Sequence, residues 1–299
     1  MKKELIFIGL GRMGSAMTAR LIEHGYTVHG FDVAEKAREN AKENGVKVYQ
    51  SIADAIRTQS ERKIIWLMVP AQFVDNTLHD VYPHLQMNDV IIDGGNSFFS
   101  DTKERATAAT AQGFHYVDCG TSGGVNGARH GASLMVGGES KIIESIEDVF
   151  LTLATKGGYG HVGKSGAGHF VKMVHNGIEY GMMGAIAEGI SFIEKHQTEM
   201  DLKTLEVFKP YKNGSIISSN LMSWMAEAYQ QEGYLEQIAG KVPQGETETE
   251  MEYIVAQNQS PVLQAALQQR KNTRNNPTRT GTFISAMRNV FGGHSTLKK

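Results

Sequence analysis

Ile8-Gly9-Leu10-Gly11-Arg12-Met13-Gly14 is the stretch whose reading decides the fold. It contains G-x-G-x-x-G, a pattern that is weak by itself. Here it directly follows the short apolar run Leu5–Ile8 and opens a helical pattern near Met13, which is the context a dinucleotide-binding loop requires. Gly9 permits the tight turn, Gly11 lets the backbone approach a pyrophosphate, and Gly14 lets helix and strand pack closely. Leu10, Arg12 and Met13 fill the loop between them. The helix amino terminus that follows offers N–H groups and partial positive charge to phosphates.

The next apolar run, Thr27–Phe31, ends at Asp32. A carboxylate roughly 20 residues past the loop accepts hydrogen bonds from adenosine ribose hydroxyls and repels a 2′-phosphate. The neighbours Val33-Ala34-Glu35 bring no immediate arginine. NAD is therefore expected over NADP, with NADP as the alternative.

Outward from the loop, short apolar strands alternate with helical patterns. Further strand candidates are Lys63–Val69, Val90–Ile92, His115–Val117 and Ala132–Val136; helical stretches start near Ala34, Ile52, Gln72, Ser100 and Ser140. This alternation predicts a doubly wound, Rossmann-like parallel sheet covered on both faces. Ligands bind outside the carboxyl ends of such strands. Val69-Pro70-Ala71 and the turn Asp93-Gly94-Gly95-Asn96-Ser97 are thus expected beside the cofactor. A glycine-rich stretch, Gly157-Gly158-Tyr159-Gly160, follows the last of these helices. Past Val162 the texture changes to Ala, Met, Glu and Gln, and Phe170–Lys195 reads as one long buried helix. We expect a dinucleotide-binding domain over 1–163 and an all-helical substrate and oligomerisation domain over 164–299. Loops are expected near Asn213-Gly214, Val242–Gly245 and Lys271–Pro277.

Composition narrows the class. The chain has 299 residues, 40% hydrophobic and 21% charged, which suits a globular enzyme with a substantial core. A net charge of −2 argues against a general nucleic-acid surface. No stretch approaches the roughly 20 apolar residues that span a bilayer. The single cysteine, Cys119, excludes an intrachain disulfide framework and reads as packing. A cytoplasmic protein is expected. The eleven histidines show no paired metal-ligand spacing, so no metal is expected.

Chemistry concentrates in Gly168-His169-Phe170-Val171-Lys172-Met173-Val174-His175-Asn176-Gly177-Ile178-Glu179-Tyr180. Lys172, Asn176 and Glu179 stand at i, i+4 and i+7, on one helix face, with His175 at its edge. An amine, an amide and a carboxylate beside an apolar helix body are costly to bury without purpose.

This segment, the amino-terminal loop, Gly94-Gly95-Asn96-Ser97, Ser122-Gly123-Gly124 and the tail Arg288-Asn289-Val290-Phe291-Gly292-Gly293-His294 together resemble the 6-phosphogluconate dehydrogenase family. The resemblance spans nearly the whole chain, whose length is similar to the family's short form. It implies metal-free oxidative decarboxylation of 6-phosphogluconate to ribulose 5-phosphate, a reaction of the pentose phosphate pathway and gluconate utilisation. Lys172 would be general base on the C3 hydroxyl, which requires a lysine neutral at that moment. It would then polarise the ketone while Glu179, as general acid, protonates C1. Asn96, Ser122, Gly123, Gly124, His175 and Asn176 would orient hydroxyls and carboxylate. Tyr180, Thr249, Arg270, Arg288 and His294 would bind phosphate and sugar, arginine through its rigid fork of donors. The resemblance also implies a homo-oligomer, a dimer or tetramer, whose tail residues complete a neighbouring site.

Two positions depart from the family's pattern. In Gly245-Glu246-Thr247-Glu248-Thr249, Thr247 stands where a basic residue is usual, and Glu246 and Glu248 would disfavour an anion. The turn after Gly124 continues Val125-Asn126 where acidic residues are frequent. The run Glu246–Glu252 and the cluster Arg270-Lys271, Arg274 and Arg279 otherwise read as solvated faces. The nearest rival is another β-hydroxyacid dehydrogenase, such as one for 3-hydroxyisobutyrate. Glu179-Tyr180 and the Arg288–His294 tail count against it. A non-catalytic nucleotide sensor would have lost Lys172 or Glu179, and a purely structural oligomer would not need them.

Overall fold

A computed structural model describes residues 3–59 and 61–298. The chain divides into two compact units, Met1–Lys172 and Met173–Lys299.

In the first unit β1 (Glu4–Ile8), β2 (Thr27–Phe31), β3 (Lys47–Val48), β4 (Ile64–Leu67), β5 (Val90–Asp93), β6 (His115–Ser122), β7 (Ala132–Gly137) and β8 (Ala154–Gly163) form one 8-stranded sheet. The order is β3-β2-β1-β4-β5-β6-β7-β8, so the winding reverses between β1 and β4. β1 shows why the apolar runs become central strands. Leu5 and Phe7 face one core with Trp66 and Phe150; Ile6 and Ile8 face another with Ile65 and Leu67. A strand buried on both sides must be apolar at every position.

Three features depart from the sequence expectation. β7 runs antiparallel to β6, while β8 is parallel to β7, so the sheet is mixed rather than all parallel. β8 takes up the glycine-rich stretch, where no strand was expected. Its residues are largely exposed, and pairing with β7, not side-chain propensity, makes it an edge strand. β3 has only 2 residues, too few to show a period.

The second unit is all helical. The helix Ala167–Lys195, 29 residues long, begins in the first unit and continues unbroken into the second. There Met183, Ala187 and Ile190 enter a core with Phe208, Met225, Phe283 and Met287. This helix is not buried all round: Ile178, Met182 and Phe192 are exposed on it. The loop expected at Lys271–Pro277 is mostly helix, because Pro261–Asn275 continues to Asn275. Arg270 and Thr273 anchor its last turns in the interior, and Pro277 turns the chain only just beyond. Among the described residues no helix is long and apolar enough to cross a membrane.

Candidate active site

The glycine loop joins β1 to the helix Arg12–Glu23 at the point where the sheet reverses. Gly9 has φ +97°, and a side chain on Gly14 would collide with the Gly9 carbonyl, so helix and strand cross as closely as the motif implies. A Cβ on Gly11 would meet no protein atom within 4 Å. The backbone there faces open space, which a pyrophosphate needs. Leu10 is buried and Met13 half-buried, while Arg12 is exposed.

Asp32 uses both carboxylate oxygens locally. Leu10 N donates to Oδ2 at 2.7 Å and Ala34 N to Oδ1 at 2.8 Å. The acid thus ties the glycine loop to the end of β2. An arginine does stand nearby: Arg38, one turn into the helix Glu35–Glu43, donates from Nη1 to the Asp32 carbonyl at 2.7 Å. Sequence reading missed it because the helix brings back a residue six positions on. Val69, Pro70 and Ala71 follow β4 and are half-buried or exposed at its carboxyl end.

Asn96 sits in the turn after β5, held from below by Asp93. That carboxylate is 1% exposed and accepts from Ser97 Oγ at 2.8 Å, Tyr116 OH at 3.0 Å and Gly95 N at 3.2 Å. The buried Arg105 guanidinium lies 3.8 Å from it and pairs with Asp75 through two hydrogen bonds. Both oxygens of the Asp93 carboxylate are thus engaged, which braces the loop carrying Asn96. Burial and the neighbouring Asp93 push the Tyr116 phenol well above its ordinary value. Nothing in the sequence marks Asp93, Tyr116 and Arg105 as a group.

Ser122 ends β6, and Gly123 and Gly124 follow in left-handed conformations that open the helix Gly124–His130. Four residues upstream, Asp118 caps the helix that carries Lys172. Its Oδ1 accepts from Gly166 N at 2.6 Å and its Oδ2 from His169 N at 2.9 Å. A carboxylate at a helix amino terminus satisfies donors that would otherwise be orphaned. Burial pushes the Asp118 carboxyl above its ordinary value, against the pull of His169 and of the two N–H donors. Thr102 Oγ1 lies 2.8 Å from the buried His169 Nδ1.

Gly120 completes this seat. A Cβ there would lie 2.5 Å from Lys172 Cβ and 3.0 Å from the Gly168 carbonyl. The stem of Lys172 therefore crosses β6 over a position where any side chain would push it aside. Cys119, the neighbouring residue, is fully buried, and burial pushes its thiol far up, so it packs rather than reacts.

Farther along the same helix, Asn176 and Tyr180 are buried and His175 and Glu179 half-buried. Asn176 Nδ2 donates to Glu250 Oε2 at 2.8 Å. His175 Nδ1 stands 3.3 Å from Asn176 Oδ1 and 3.8 Å from Glu179 Oε2.

The second unit also gathers the arginines. Arg270 is fully buried, with its guanidinium carbon 4.4 Å from the Tyr180 ring centre. It donates to Thr247 Oγ1 at 2.8 Å and to the Pro243 carbonyl at 3.0 Å, and its Nε lies 3.3 Å from Glu248 Oε2. Desolvation pulls its guanidinium below the ordinary value. Arg288 reaches the same carbonyl at 3.3 Å and the same ring at 5.9 Å. Thr249 and His294 are exposed, and the His294 carbonyl accepts from Asn289 Nδ2 at 2.8 Å.

Three readings of this region are corrected. Glu246–Glu252 is not a solvated helix start, since Glu248 is 2% and Glu250 5% exposed. Glu248 does not stand as a bare charge facing an anion. Arg274 holds it by two hydrogen bonds of 2.7 and 2.9 Å, and Arg270 adds a third contact. Nor is the basic cluster a solvated face: Arg279 pairs with Glu194 at 2.7 Å. These partners are 26 and 85 positions apart, beyond any local pattern. Among the described residues no group of three or more His, Cys, Asp or Glu could hold a metal ion.

Comparison with known proteins agrees with this architecture. The family described as "NAD binding domain of 6-phosphogluconate dehydrogenase" matches residues 4–163, and "6-phosphogluconate dehydrogenase, C-terminal domain" matches residues 168–232. A Haloferax volcanii protein named "6-phosphogluconate dehydrogenase, NAD(+)-dependent, decarboxylating" is 39% identical over 301 residues, covering 99% of each chain. The Plasmodium falciparum 6-phosphogluconate dehydrogenase structure superposes with TM-score 0.80 at 26% identity, over 90% of this chain and 62% of that one. The Mycobacterium tuberculosis 3-hydroxyisobutyrate dehydrogenase shares the fold, with TM-score 0.72 at 23% identity over 96% of this chain and 100% of that one. A Rossmann-like sheet with an NAD-binding loop, followed by a helical unit and matched by both profiles, identifies the chain as a member of the 6-phosphogluconate dehydrogenase family.

Proposed function

We propose that this dehydrogenase oxidises and decarboxylates 6-phospho-D-gluconate to D-ribulose 5-phosphate and carbon dioxide, with NAD preferred over NADP. The observation that carries the reading is the seat of Lys172. Asp118 caps its helix, Gly120 lets its stem cross β6, and Glu179 follows on the same helix face. An amine so constrained, with a carboxylate two turns along, suits a base and an acid acting in sequence.

Gly9, Leu10, Gly11, Arg12, Met13 and Gly14 hold the pyrophosphate, Asp32 the adenosine ribose, and Val69, Pro70, Ala71 and Asn96 the remainder of the dinucleotide. Held there, the nicotinamide would supply the acceptor for the hydride that leaves C3. Lys172 Nζ takes the proton of the C3 hydroxyl, giving a 3-keto acid. The ammonium so formed donates to the C3 oxygen and spreads the charge that develops there as carbon dioxide leaves. Glu179 delivers a proton to C1 of the enediol. Asn96, Ser122, Gly123, Gly124, His175 and Asn176 orient the hydroxyls and carboxylate. Tyr180, Thr249, Arg270, Arg288 and His294 serve the phosphate and sugar. The exposed apolar residues Ile178, Met182 and Phe192 support a homo-oligomer, in which the tail reaches a neighbouring site. Work in the cytoplasm, within the pentose phosphate pathway and gluconate utilisation, belongs to this reading.

One observation favours a second reading, a β-hydroxyacid dehydrogenase for a substrate without phosphate. Arg270 is fully buried and already donates to two protein acceptors. The deciding assay follows NAD and NADP reduction with 6-phosphogluconate, gluconate and 3-hydroxyisobutyrate, with carbon dioxide measured. Turnover of 6-phosphogluconate with carbon dioxide in equal yield is expected. Reduction without carbon dioxide, or only with an unphosphorylated acid, establishes the second reading.

Cofactor choice has its own test. Asp32→Ala removes the carboxylate and leaves Arg38 beside the ribose position. The ratio of kcat/KM for NAD to that for NADP should fall at least about tenfold, equivalent to about 1.4 kcal/mol. An unchanged ratio refutes Asp32 as the ribose reader.

A further inference from the structure

His169 is a buried histidine that the mechanism does not use. It is 2% exposed, and its two ring nitrogens fare differently. Nδ1 lies 2.8 Å from Oγ1 of Thr102, which is itself fully buried. Nε2 is buried and has no hydrogen-bond partner among the described residues. Leaving a buried ring nitrogen unpaired is costly, and an apolar side chain would fill the same space without that cost. What the histidine contributes is therefore the contact through Nδ1. That contact joins two pieces of the candidate site within the first unit. Thr102 lies in the first turn of the helix Phe99–Ala111, which runs on from the turn carrying Asn96. His169 stands one turn before Lys172 on the helix Ala167–Lys195. Other groups press the same two segments together. The Phe99 and Phe170 rings meet edge to face with centroids 5.2 Å apart. A Cβ on Gly166 would lie 2.9 Å from Lys103 Cγ and 3.2 Å from the Phe99 carbonyl, so the backbone entering the Lys172 helix rests directly on the helix Phe99–Ala111. Apolar packing of this kind is non-directional, whereas a hydrogen bond fixes distance and angle.

We propose that His169 is a positioning residue for the reaction: through Nδ1 and Thr102 it locks the Lys172 helix to the Asn96 turn, so that the amine and that turn keep one spacing. The inference rests on the reading of Lys172 as the base and of Asn96 as a ligand of substrate and cofactor. It adds the link that sets one against the other. Asp118 fixes the start of the Lys172 helix against β6. His169 fixes it in a second direction, against the segment that follows β5.

The test separates the bond from the space the ring fills. His169→Asn carries an amide out to the place of Nδ1, where it can meet the Thr102 hydroxyl with its nitrogen or its oxygen. His169→Gln carries the amide to the place of Nε2 and fills more of the volume. Thr102→Val keeps the branched shape and removes the hydroxyl. A displacement of about 1 Å can cost about 10²-fold, so His169→Gln and Thr102→Val should each lower kcat with 6-phosphogluconate at least about tenfold. NAD affinity should not change, because the glycine loop is untouched. His169→Asn, although smaller, should keep most of kcat. A space-filling role predicts the reverse order, with Gln above Asn. Thr102→Val combined with His169→Gln should lose no more than the worse single variant, because both break one bond. Rates are taken per NAD-binding site, counted by titration, so a partly folded variant is not scored as slow. Equal losses in His169→Asn and His169→Gln overturn the proposal, as does a Thr102→Val enzyme with wild-type kcat or a pair of losses that multiply. Lys172→Met is measured alongside. A near-normal rate there overturns the base reading and the proposal with it, whereas a slow Lys172→Met beside an unimpaired His169→Gln overturns the proposal alone. If wild type turns over only an unphosphorylated hydroxy acid, the same comparisons are made with that substrate, whose hydroxyl also needs a base.

Discussion

Replacing Lys172 by methionine is expected to lower the rate of nicotinamide reduction by about 10²- to 10⁴-fold, the usual worth of a positioned general base. Methionine keeps an unbranched stem of similar length, so it can still cross β6 over Gly120, where a Cβ would lie 2.5 Å from that of residue 172. The seat survives and only the amine is lost, so the melting temperature should change little. Single-turnover reduction, followed by absorbance, checks this, and a near-normal rate refutes the base role. Gly120→Ala is the companion variant. Its methyl group must displace Lys172 or the Gly168 carbonyl, which lies 3.0 Å from the new atom. A displacement of about 1 Å can cost about 10²-fold, so kcat/KM should fall by that order although the amine is present. Loss in Lys172→Met with retention in Gly120→Ala would mean that the amine matters but the crossing does not place it.

Glu248→Gln should have the largest effect on stability. Glu248 is 2% exposed and holds both Arg274 and the fully buried Arg270. Removing its charge leaves the Arg270 guanidinium without an anion in the interior, a change that typically costs about 3–5 kcal/mol. The pH dependence follows the same group. Burial opposes the ionised form, but the two hydrogen bonds from Arg274 and the charge of Arg270 outweigh it and hold the carboxyl below its ordinary 4.5. A lowered carboxyl stabilises the fold above its unfolded-state value and ceases to do so as pH falls through the folded-state value. Wild type should therefore lose stability as pH falls below about 4.5, and Glu248→Gln should lack that part of the acid limb. Calorimetric melting between neutral and acid pH reads both effects. Equal melting temperatures for wild type and variant at neutral pH would show that Arg270 does not depend on Glu248.

Much of the candidate site was legible because it is written in short range. Gly9 to Gly14 announce a loop by their spacing, Asp32 stands one strand farther on, and Lys172, Asn176 and Glu179 repeat at the helical period. Each of these patterns lies within one element or one strand–loop–helix unit, where geometry follows from local chain conformation. Asp118, Gly120 and Asp93 were not legible. They act across the sheet on residues far along the chain, and an aspartate or glycine in an apolar strand looks the same whether it caps a helix or ends a turn. Glu248 and Glu250 were misread for a related reason. A run of glutamates opening a helix is normally solvated, and only the packing of two other helices shows that these two are enclosed.

By itself, then, the amino-acid sequence determined the alternation of strand and helix in the first unit, the dinucleotide loop, and the face of the helix that bears the chemistry. These depend on periodicity and on residues within a few turns of one another. Only the tertiary structure decided the antiparallel turn of β7, the edge strand β8, the seat of Lys172 over Gly120, and the burial of Glu248 and Glu250 against Arg270 and Asn176. Strand direction and charge burial are settled by partners distant in sequence, and their energies exist only once the chain has brought those partners together.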